Sequence, residues 1–437
     1  MWQSLTPFLQ NIVLLLTLLA PLVVAGSCVL HGYRTASLTR ALMWRYRWAN
    51  ILFVVLIAVS VGLGVGLLAQ ERGLRQGTAL AAEKFNVVVG APGSDVTLMM
   101  ASVFLQPSAV PLIDGEVYAR IADHPHATLT APLAFGDSYR GAAVVGTTSD
   151  FVDYLSGGLV AGRHFQNSLE AVIGAAAPLQ VGEEFDPDHG RTPAEKSEFE
   201  GAHTGAGLRV VGKMAPTGTP WDKAILVAVE SVWELHGLAN GHAPTSENQL
   251  GPPFDAAYFP GTPAAIVHTD QLFAAYALQA EFNQASETMA FFPGAVLSRL
   301  YRVLGDIRQV ISVMAFVTQI LVAVSVVVGL FVLTLLFRRQ MALLYALGAP
   351  RRFITGVIWS YGASLLVAGA LAGMALGQLA TILLSRILSA RTDILITAPL
   401  GWPEVHLVAG FVGTASVLAL LPALAVGRVT SPADLRG

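Results

Sequence analysis

Few residues of this chain have the types and spacing that chemistry requires. Gly190-Arg191-Thr192-Pro193-Ala194-Glu195-Lys196-Ser197 has the outline of the phosphate-binding loop GxxxxGKS. Glu195, however, stands where the second glycine belongs, so its carboxylate would repel phosphate and its Cβ would block the backbone cradle. Pro193 removes one amide donor as well, and the segment is not expected to hold a nucleotide. His189 and His203 lie beside Asp186, Asp188, Glu198 and Glu200, which are ligand types that zinc or copper accepts. No pair among them has tight ligand spacing, and solvated loop histidines are the plainer reading. The sequence contains neither HExxH nor GxSxG, so no familiar hydrolase signature supports an active site. The lone cysteine, Cys28, excludes an intrachain disulfide and a cysteine-based metal centre.

What remains is a pattern for contact rather than catalysis. Arg338-Arg339-Gln340-Met341-Ala342-Leu343-Leu344-Tyr345-Ala346-Leu347-Gly348-Ala349-Pro350-Arg351-Arg352 lies between two long apolar segments. Met341, Leu344, Tyr345 and Leu347 recur at helical spacing, which predicts a short helix lying along a membrane surface. Its arginines place it on the cytoplasmic side, where Lys and Arg are retained. Such a helix is a handle for a cytosolic partner. A second amphipathic stretch, Ser37–Arg47, interleaves Leu38, Leu42, Trp44 and Tyr46 with Arg40, Arg45 and Arg47. It reads either as a membrane-surface anchor or as a second contact for the same partner.

These loops need membrane helices to position them, and the composition supplies them. Apolar residues make up 54% of the chain and charged ones only 13%, with a net charge of -3. That is far less charge than a soluble domain carries, and the near-neutral balance argues against nucleic acid as a partner. Five segments reach the ~20 residues needed to cross a bilayer: Phe8–Leu30, Trp48–Ala69, Val310–Phe337, Phe353–Leu384 and Val405–Gly427. Met1–Tyr33 holds no Lys or Arg, whereas arginines cluster after the first, third and fifth segments. All clusters fall on one side if the N-terminus is outside. Ala25-Gly26-Ser27-Cys28 faintly resembles a lipoprotein cleavage site, but no positive region precedes it, and an added N-terminal helix is preferred. The expected division is an extra helix over 1–33, a surface helix and second span over 34–70, an extracytoplasmic domain over 71–308, and three spans with a cytoplasmic loop at 338–353 over 309–437.

The outer region changes character to α+β. Asn86–Val89, Ala142–Val145, Ala171–Ile173, Leu208–Val211 and Ile225–Val229 read as strands, and Gly115–Asp123, Glu230–His236 and Thr269–Glu287 as helices. The stretch from Glu183 to Ala206 reads as a polar surface loop, and Glu230–Pro260 as largely irregular. The apolar run Val96–Leu105 is read as a core element or as a partly exposed surface. In the second case Met99, Met100, Phe104 and Leu105 would contact a lipid tail or hydrophobic peptide. Gly369, Gly373 and Gly377 recur every four residues, the spacing that lets helices approach closely. Gly62, Gly64 and Gly66 suit either a bend or a close contact with a second copy. No acidic or basic residue lies in the middle of the last four spans, which argues against an ion path and for helices that act as levers.

The loop RRQMALLYALGAPRR resembles the coupling loop of the FtsX/MacB superfamily of ABC transporter permeases, whose usual pattern is close to RRREIALLRALGATRR. Leu421-Pro422-Ala423 followed by Ser431-Pro432-Ala433-Asp434-Leu435-Arg436 is similar to that family's ending. Val87-Val88-Val89-Gly90-Ala91-Pro92-Gly93-Ser94 and Ala215-Pro216-Thr217-Gly218-Thr219-Pro220 look like parts of its outer domain. The order of elements agrees from Leu38 onward. Gln340 departs from the usual Glu and Tyr345 from a common Arg. The helix Phe8–Leu30 is additional to the family's minimal four spans, and the sequence does not say whether it docks on lipid, the bundle or a partner.

The resemblance implies a non-catalytic permease in a bacterial inner membrane, with its large domain in the periplasm. ATP and Mg would be bound by a cytosolic ABC ATPase dimer touching Arg338, Arg339, Gln340, Met341, Leu344, Tyr345, Leu347, Gly348, Arg351 and Arg352. The chain would pair with a second copy or a related permease, in contact with membrane lipid and with a periplasmic adaptor or substrate-binding protein as a further partner. Mechanotransmission would then export or extract a hydrophobic substrate: a lipid, lipoprotein, peptide or drug. The alternatives are an FtsX-type complex that activates an envelope protein, and a metal (zinc)-linked transporter.

Overall fold

The computed structural model describes residues 5–189, 207–246, 248–303, 338–392 and 396–429, with scattered positions between 313 and 332. Gly190–Ser197, His203 and the ending Ser431–Arg436 lie outside the described residues, as do the side chain of His189 and most of Val310–Phe337. The chain divides into two units. The first comprises Met1–Leu74, Gly305–Arg386 and Thr397–Gly437, and the second Arg75–Leu304 with Ile387–Ile396.

The first unit is helical. α1 (Pro7–Leu30) starts where Thr6 accepts a hydrogen bond from the Leu9 amide and Pro7 supplies a preset φ. α2 (Ala36–Arg45) and α3 (Arg47–Glu83) follow. After a gap in the described residues come α10 (Arg338–Ala346), α11 (Arg351–Thr392), α12 (Trp402–Leu418) and α13 (Leu420–Val429). Among the described residues four helical stretches are long and apolar enough to cross a membrane: Pro7–Leu30, Arg47–Glu83, Arg351–Ser389 and Trp402–Ala425. In the region of the expected third span, residues 323–329 are helical.

Helix ends differ from the apolar segments for local reasons. α3 runs past Ala69 to Glu83 because Gln70, Glu71, Arg72 and Leu74 are good helix formers, and hydropathy marks a crossing rather than a helix end. The fifth expected span is two helices. Pro422 has no N–H to offer the Leu418 carbonyl and its ring clashes there, so α12 stops at Leu418. The core joins Ile57, Val61 and Val65 of α3 to Met341 of α10, Ile354 and Val357 of α11, and Phe411 and Ala415 of α12.

The second unit is an α+β domain on one mixed sheet. Its strands are β1 (Val87–Gly90), β2 (Leu129–Tyr139), β3 (Ala142–Thr147), β4 (Leu159–Gly162), β5 (Glu170–Ile173), β6 (Glu184–Phe185), β7 (Asp188–His189), β8 (Leu208–Met214), β9 (Ile225–Ala228), β10 (Ala264–His268) and β11 (Met289–Phe291). They run in the order β11-β1-β10-β2-β3-β9-β5-β8-β4, with β6 beside β8 and β7 beside β2. The pairs β3–β9 and β5–β8 are parallel and the others antiparallel. Helices α4 (Asp95–Ser102), α5 (Gly115–Ala122), α6 (Ser149–Ser156), α7 (Val229–Leu235), α8 (Leu272–Gln284) and α9 (Pro293–Val303) complete it. The sheet's buried face, including Val87, Val144, Ile173, Val210, Val227 and Val267, forms the core.

Candidate functional site

The loop that carries the sequence signature is a helix, a tight reversal and a second helix. Gly348 has φ +96°, the left-handed conformation that glycine adopts without strain. Its amide donates to the Tyr345 carbonyl at 3.0 Å, and the Ala349 amide to the Leu344 carbonyl at 3.0 Å. These two bonds close α10 in a Schellman motif, after which Pro350 prevents the helix from continuing and leads into α11 at Arg351. The sequence Leu-Gly-Ala-Pro thus encodes the turn residue by residue.

Met341 and Ala342 are buried and anchor α10 to the bundle, whereas Leu344 and Tyr345 are half-buried. Arg339, Arg351 and Arg352 are exposed. So are two large apolar side chains, Leu343 at 53% and Leu347 at 77%. The Arg351 guanidinium lies 5.7 Å from the centre of the Tyr345 ring, which keeps that arginine over its own loop. Gln340 reaches back to the residue that follows α2, its Nε2 3.5 Å from the Tyr46 hydroxyl. Arg338 opens the helix. The loop therefore carries two exposed apolar side chains and three exposed arginines on a turn closed by backbone hydrogen bonds.

α2 lies against the same core. Leu42 and Thr39 are buried, with Thr39 Oγ1 2.9 Å from Ser360 Oγ of α11. Arg40, Trp44, Arg45 and Arg47 are all exposed. Of the apolar residues that interleave with the arginines, Leu42 is buried, Leu38 and Tyr46 are half-buried and Trp44 is exposed.

The glycine rows meet each other. A Cβ at Gly373 would lie 2.7 Å from Val61 Cβ and 2.9 Å from the Ala58 carbonyl oxygen. One at Gly377 would lie 2.7 Å from the Gly62 oxygen, and one at Gly369 would lie 2.6 Å from Ile57 Cβ. Gly62 itself faces the Gly373 oxygen, and Gly66 lies near Thr381 with more room, 3.7 Å. α3 and α11 therefore cross backbone to backbone within one chain, and both glycine rows serve that crossing.

The extra helix α1 is docked on the bundle of its own chain. A Cβ at Gly413 of α12 would lie 2.1 Å from the Leu18 carbonyl oxygen, so glycine is what permits the approach. Trp359 of α11 packs against Gly26, and His406 Nε2 lies 3.1 Å from the Asn11 carbonyl oxygen. Of the options the sequence leaves open, docking on the bundle is therefore seen for one face of α1, while Leu16, Val23 and Val24 stay exposed.

The motifs Val87–Ser94 and Ala215–Pro220 hold loops of the α+β domain in place. Ser94 caps α4 by accepting from the Thr97 amide at 3.2 Å. Asp222 accepts from the amides of Thr217 and Gly218 at 2.7 and 2.8 Å, closing the loop before Trp221. Trp221 is fully buried against Phe85 and Phe151, and its Nε1 donates to the Val103 carbonyl at 3.2 Å. That contact corrects one expectation. Met99, Phe104 and Leu105 are buried and Met100 is half-buried, because the run Val96–Leu105 folds beneath Trp221 instead of presenting an apolar contact surface.

Sequence reasoning misses two buried pairs. Glu404 of α12 is fully buried, and its Oε2 accepts from Arg72 Nη1 at 3.0 Å and from the Gly401 amide at 2.8 Å. Arg72 also donates to the Pro399 carbonyl. In the second unit Glu230 is buried, 3.4 Å from His242 Nε2 and bonded to the Gly251 amide at 2.5 Å. Burial pushes the Glu230 carboxyl up from its ordinary range, against the pull of its hydrogen bonds. Hydropathy alone gives no signal for partners 332 residues apart in sequence. Among the described residues no group of three or more His, Cys, Asp or Glu side chains is arranged to hold a metal ion.

Among the solved structures to which the chain is similar are two domains of transporter proteins. One is the periplasmic region of MacB from Actinobacillus actinomycetemcomitans, at 10% identity over 50% of this chain and 94% of that one, with a TM-score of 0.30. The other is the extracellular domain of the noncanonic ABC-type transporter YknZ from Gram-positive bacteria, at 12% identity over 47% and 98%, with a TM-score of 0.27. No family model and no curated protein matches the chain.

Proposed function

We propose that this chain is the membrane permease subunit of an ABC transporter. A separate cytosolic ATPase dimer would hydrolyse ATP, and the bundle would pass its closure to the α+β domain, exporting or extracting a hydrophobic substrate. The observation that carries this reading is the surface of α10. Leu343 and Leu347 are exposed beside Arg339, Arg351 and Arg352 on a turn held by the Schellman bonds and by buried Met341. Exposed apolar side chains on the same loop as exposed arginines suit an apolar cleft with an acidic rim on a partner. The close crossing of α3 and α11, which small residues permit, fits a bundle that moves as a packed unit. In this reading the α+β domain lies outside a bacterial inner membrane, the working unit contains two permease chains, and nucleotide and Mg belong to the ATPase.

The test is co-purification of the full chain with ATPases of its own cell. Wild type is expected to retain an ABC ATPase, and Arg339→Glu/Arg351→Glu to lose it at least tenfold. Loss by Leu347→Asp, which leaves every arginine in place, would confirm the apolar contact. Stimulation of the bound ATPase by a lipid, lipoprotein or peptide reports transport. An ATPase that is bound yet insensitive to all of them, while an envelope hydrolase becomes active, reports an FtsX-type signalling complex. No retained ATPase, or retention indifferent to all three residues, overturns the proposal.

A further inference from the structure

Residues 1–70 contain four arginines, Arg34, Arg40, Arg45 and Arg47, and neither Asp nor Glu. Two of the four sit at the break between α2 and α3, where Tyr46 leaves the helical conformation at φ -106°, ψ 30°. That break is held firmly. The Tyr46 amide donates to the Leu42 carbonyl at 3.1 Å, Asn50 Nδ2 donates to the Met43 carbonyl at 2.8 Å, and the Tyr361 hydroxyl donates to Asn50 Oδ1. On this fixed turn the Arg47 guanidinium lies 5.7 Å from the centre of the Trp44 ring and 5.9 Å from that of Trp48. Both tryptophans are about three-quarters exposed, at 74% and 75%. Ring contacts position the guanidinium without neutralising it. Its in-plane N–H donors match the geometry of a phosphate, which a carboxylate-paired arginine could not offer so freely.

Below this cation the surface becomes apolar. Ile51, Leu52, Val55, Leu56 and Val59 of α3 are exposed in a stripe that continues from Trp48 along the helix. One ligand class has an anionic phosphate, a boundary that tryptophan favours, and an apolar tail in that order. The geometry points to a binding site for an anionic phospholipid: Arg47 and Arg45 donate to the headgroup phosphate, Trp44 and Trp48 flank it at the headgroup level, and an acyl chain follows the α3 stripe. A soluble phosphate would leave the stripe uncovered, and an acidic protein segment would leave it facing water. This goes beyond the permease reading and requires only that α3 face a bilayer.

The test uses the full chain without any ATPase, so its failure is separate from failure of the coupling-loop reading. The protein, in non-ionic detergent, is supplied with phosphatidylglycerol or phosphatidylcholine, and retained lipid is counted by native mass spectrometry. Wild type is expected to retain phosphatidylglycerol about tenfold better than phosphatidylcholine. Arg47→Gln should lose that preference. Arg47→Lys, which keeps the charge but lacks the bidentate fork, should lose part of it while leaving the fold undisturbed. Arg34→Gln removes the same charge away from the tryptophans and should retain it. Equal retention of the two lipids by wild type overturns the proposal, as does an equal loss in Arg34→Gln and Arg47→Gln. Displacement of the lipid by millimolar inorganic phosphate overturns it too, because the site would then recognise phosphate alone.

Discussion

Gly373→Ala adds one methyl group where α3 and α11 touch. The new Cβ would stand 2.7 Å from Val61 Cβ and 2.9 Å from the Ala58 carbonyl oxygen, against an ordinary contact distance that begins near 3.4 Å. Relieving the first contact needs a separation of about 0.7 Å, the difference between those distances, and the second neighbour is backbone that cannot rotate away. Overpacking of this kind costs ~1–3 kcal/mol, while alanine is ~1 kcal/mol better than glycine inside a helix. Gly66→Ala provides the comparison that removes the second number. It makes the same chemical change in the facing row, but its Cβ would meet nothing nearer than 3.7 Å. The helix preference cancels between the two variants, leaving a difference of ~1–3 kcal/mol in favour of Gly66→Ala. Unfolding of the full chain in mixed micelles, driven by rising SDS fraction and followed by far-ultraviolet circular dichroism, measures it. Gly373→Ala should unfold at lower SDS than wild type or with little gain, and Gly66→Ala at or above wild type. If the two midpoints agree, the glycine rows do not meet as described and the lever argument loses its physical basis.

Two further outcomes follow from single residues. Gly348→Ala places a Cβ at φ +96° and should weaken the Schellman turn by ~1 kcal/mol, lowering ATPase retention about fivefold in the co-purification assay, while Gly348→Asn should retain more of it. In the α+β domain, hydrogen bonds from Arg163 hold the Glu170 carboxyl at about 2, down from the ordinary 4.5. A lowered carboxyl pKa contributes stability above its unfolded value that is lost as pH falls through the folded one, so the thermal midpoint of this domain should drop between about pH 4.5 and about pH 2. The Glu170→Gln variant, followed by tryptophan fluorescence, should lack that component; an unchanged pH slope would show that the pair is not responsible.

The helical unit was largely legible because its signals are local. A Schellman turn needs Gly348, Pro350 and the carbonyls just before them, and all of these lie within one short stretch. Spacing of four likewise revealed the row Gly369, Gly373, Gly377, but nothing in it names Gly62 as the partner, since the contact is set by how two distant helices cross. The sheet was harder to read. β2, its longest central strand at 11 residues, contains Pro132, Gly136 and the polar pair Asp137-Ser138, all of which read as strand breakers. The structure accommodates them with a register shift between Phe135 and Asp137, which lets the strand pair with β10 over its first part and with β3 over its second. Arg72–Glu404 was invisible for a further reason: each residue looks like an ordinary polar flank of an apolar segment until the fold brings the two together.

The docking of α1 has a consequence for how the protein is made. Leu18 leaves the ribosome well before the glycine that admits its carbonyl, Gly413, which follows the α+β domain and α11 in the chain. At ~5–20 residues per second the interval is on the order of 20–80 s. Throughout that time α1 has only lipid, or whatever assists insertion, along the face that will later meet α12. A C-terminal truncation that removes α12 should therefore leave the first helix open to membrane quality-control proteases even though its own sequence is intact. Synthesis of α12 thus acts as the signal that α1 is complete.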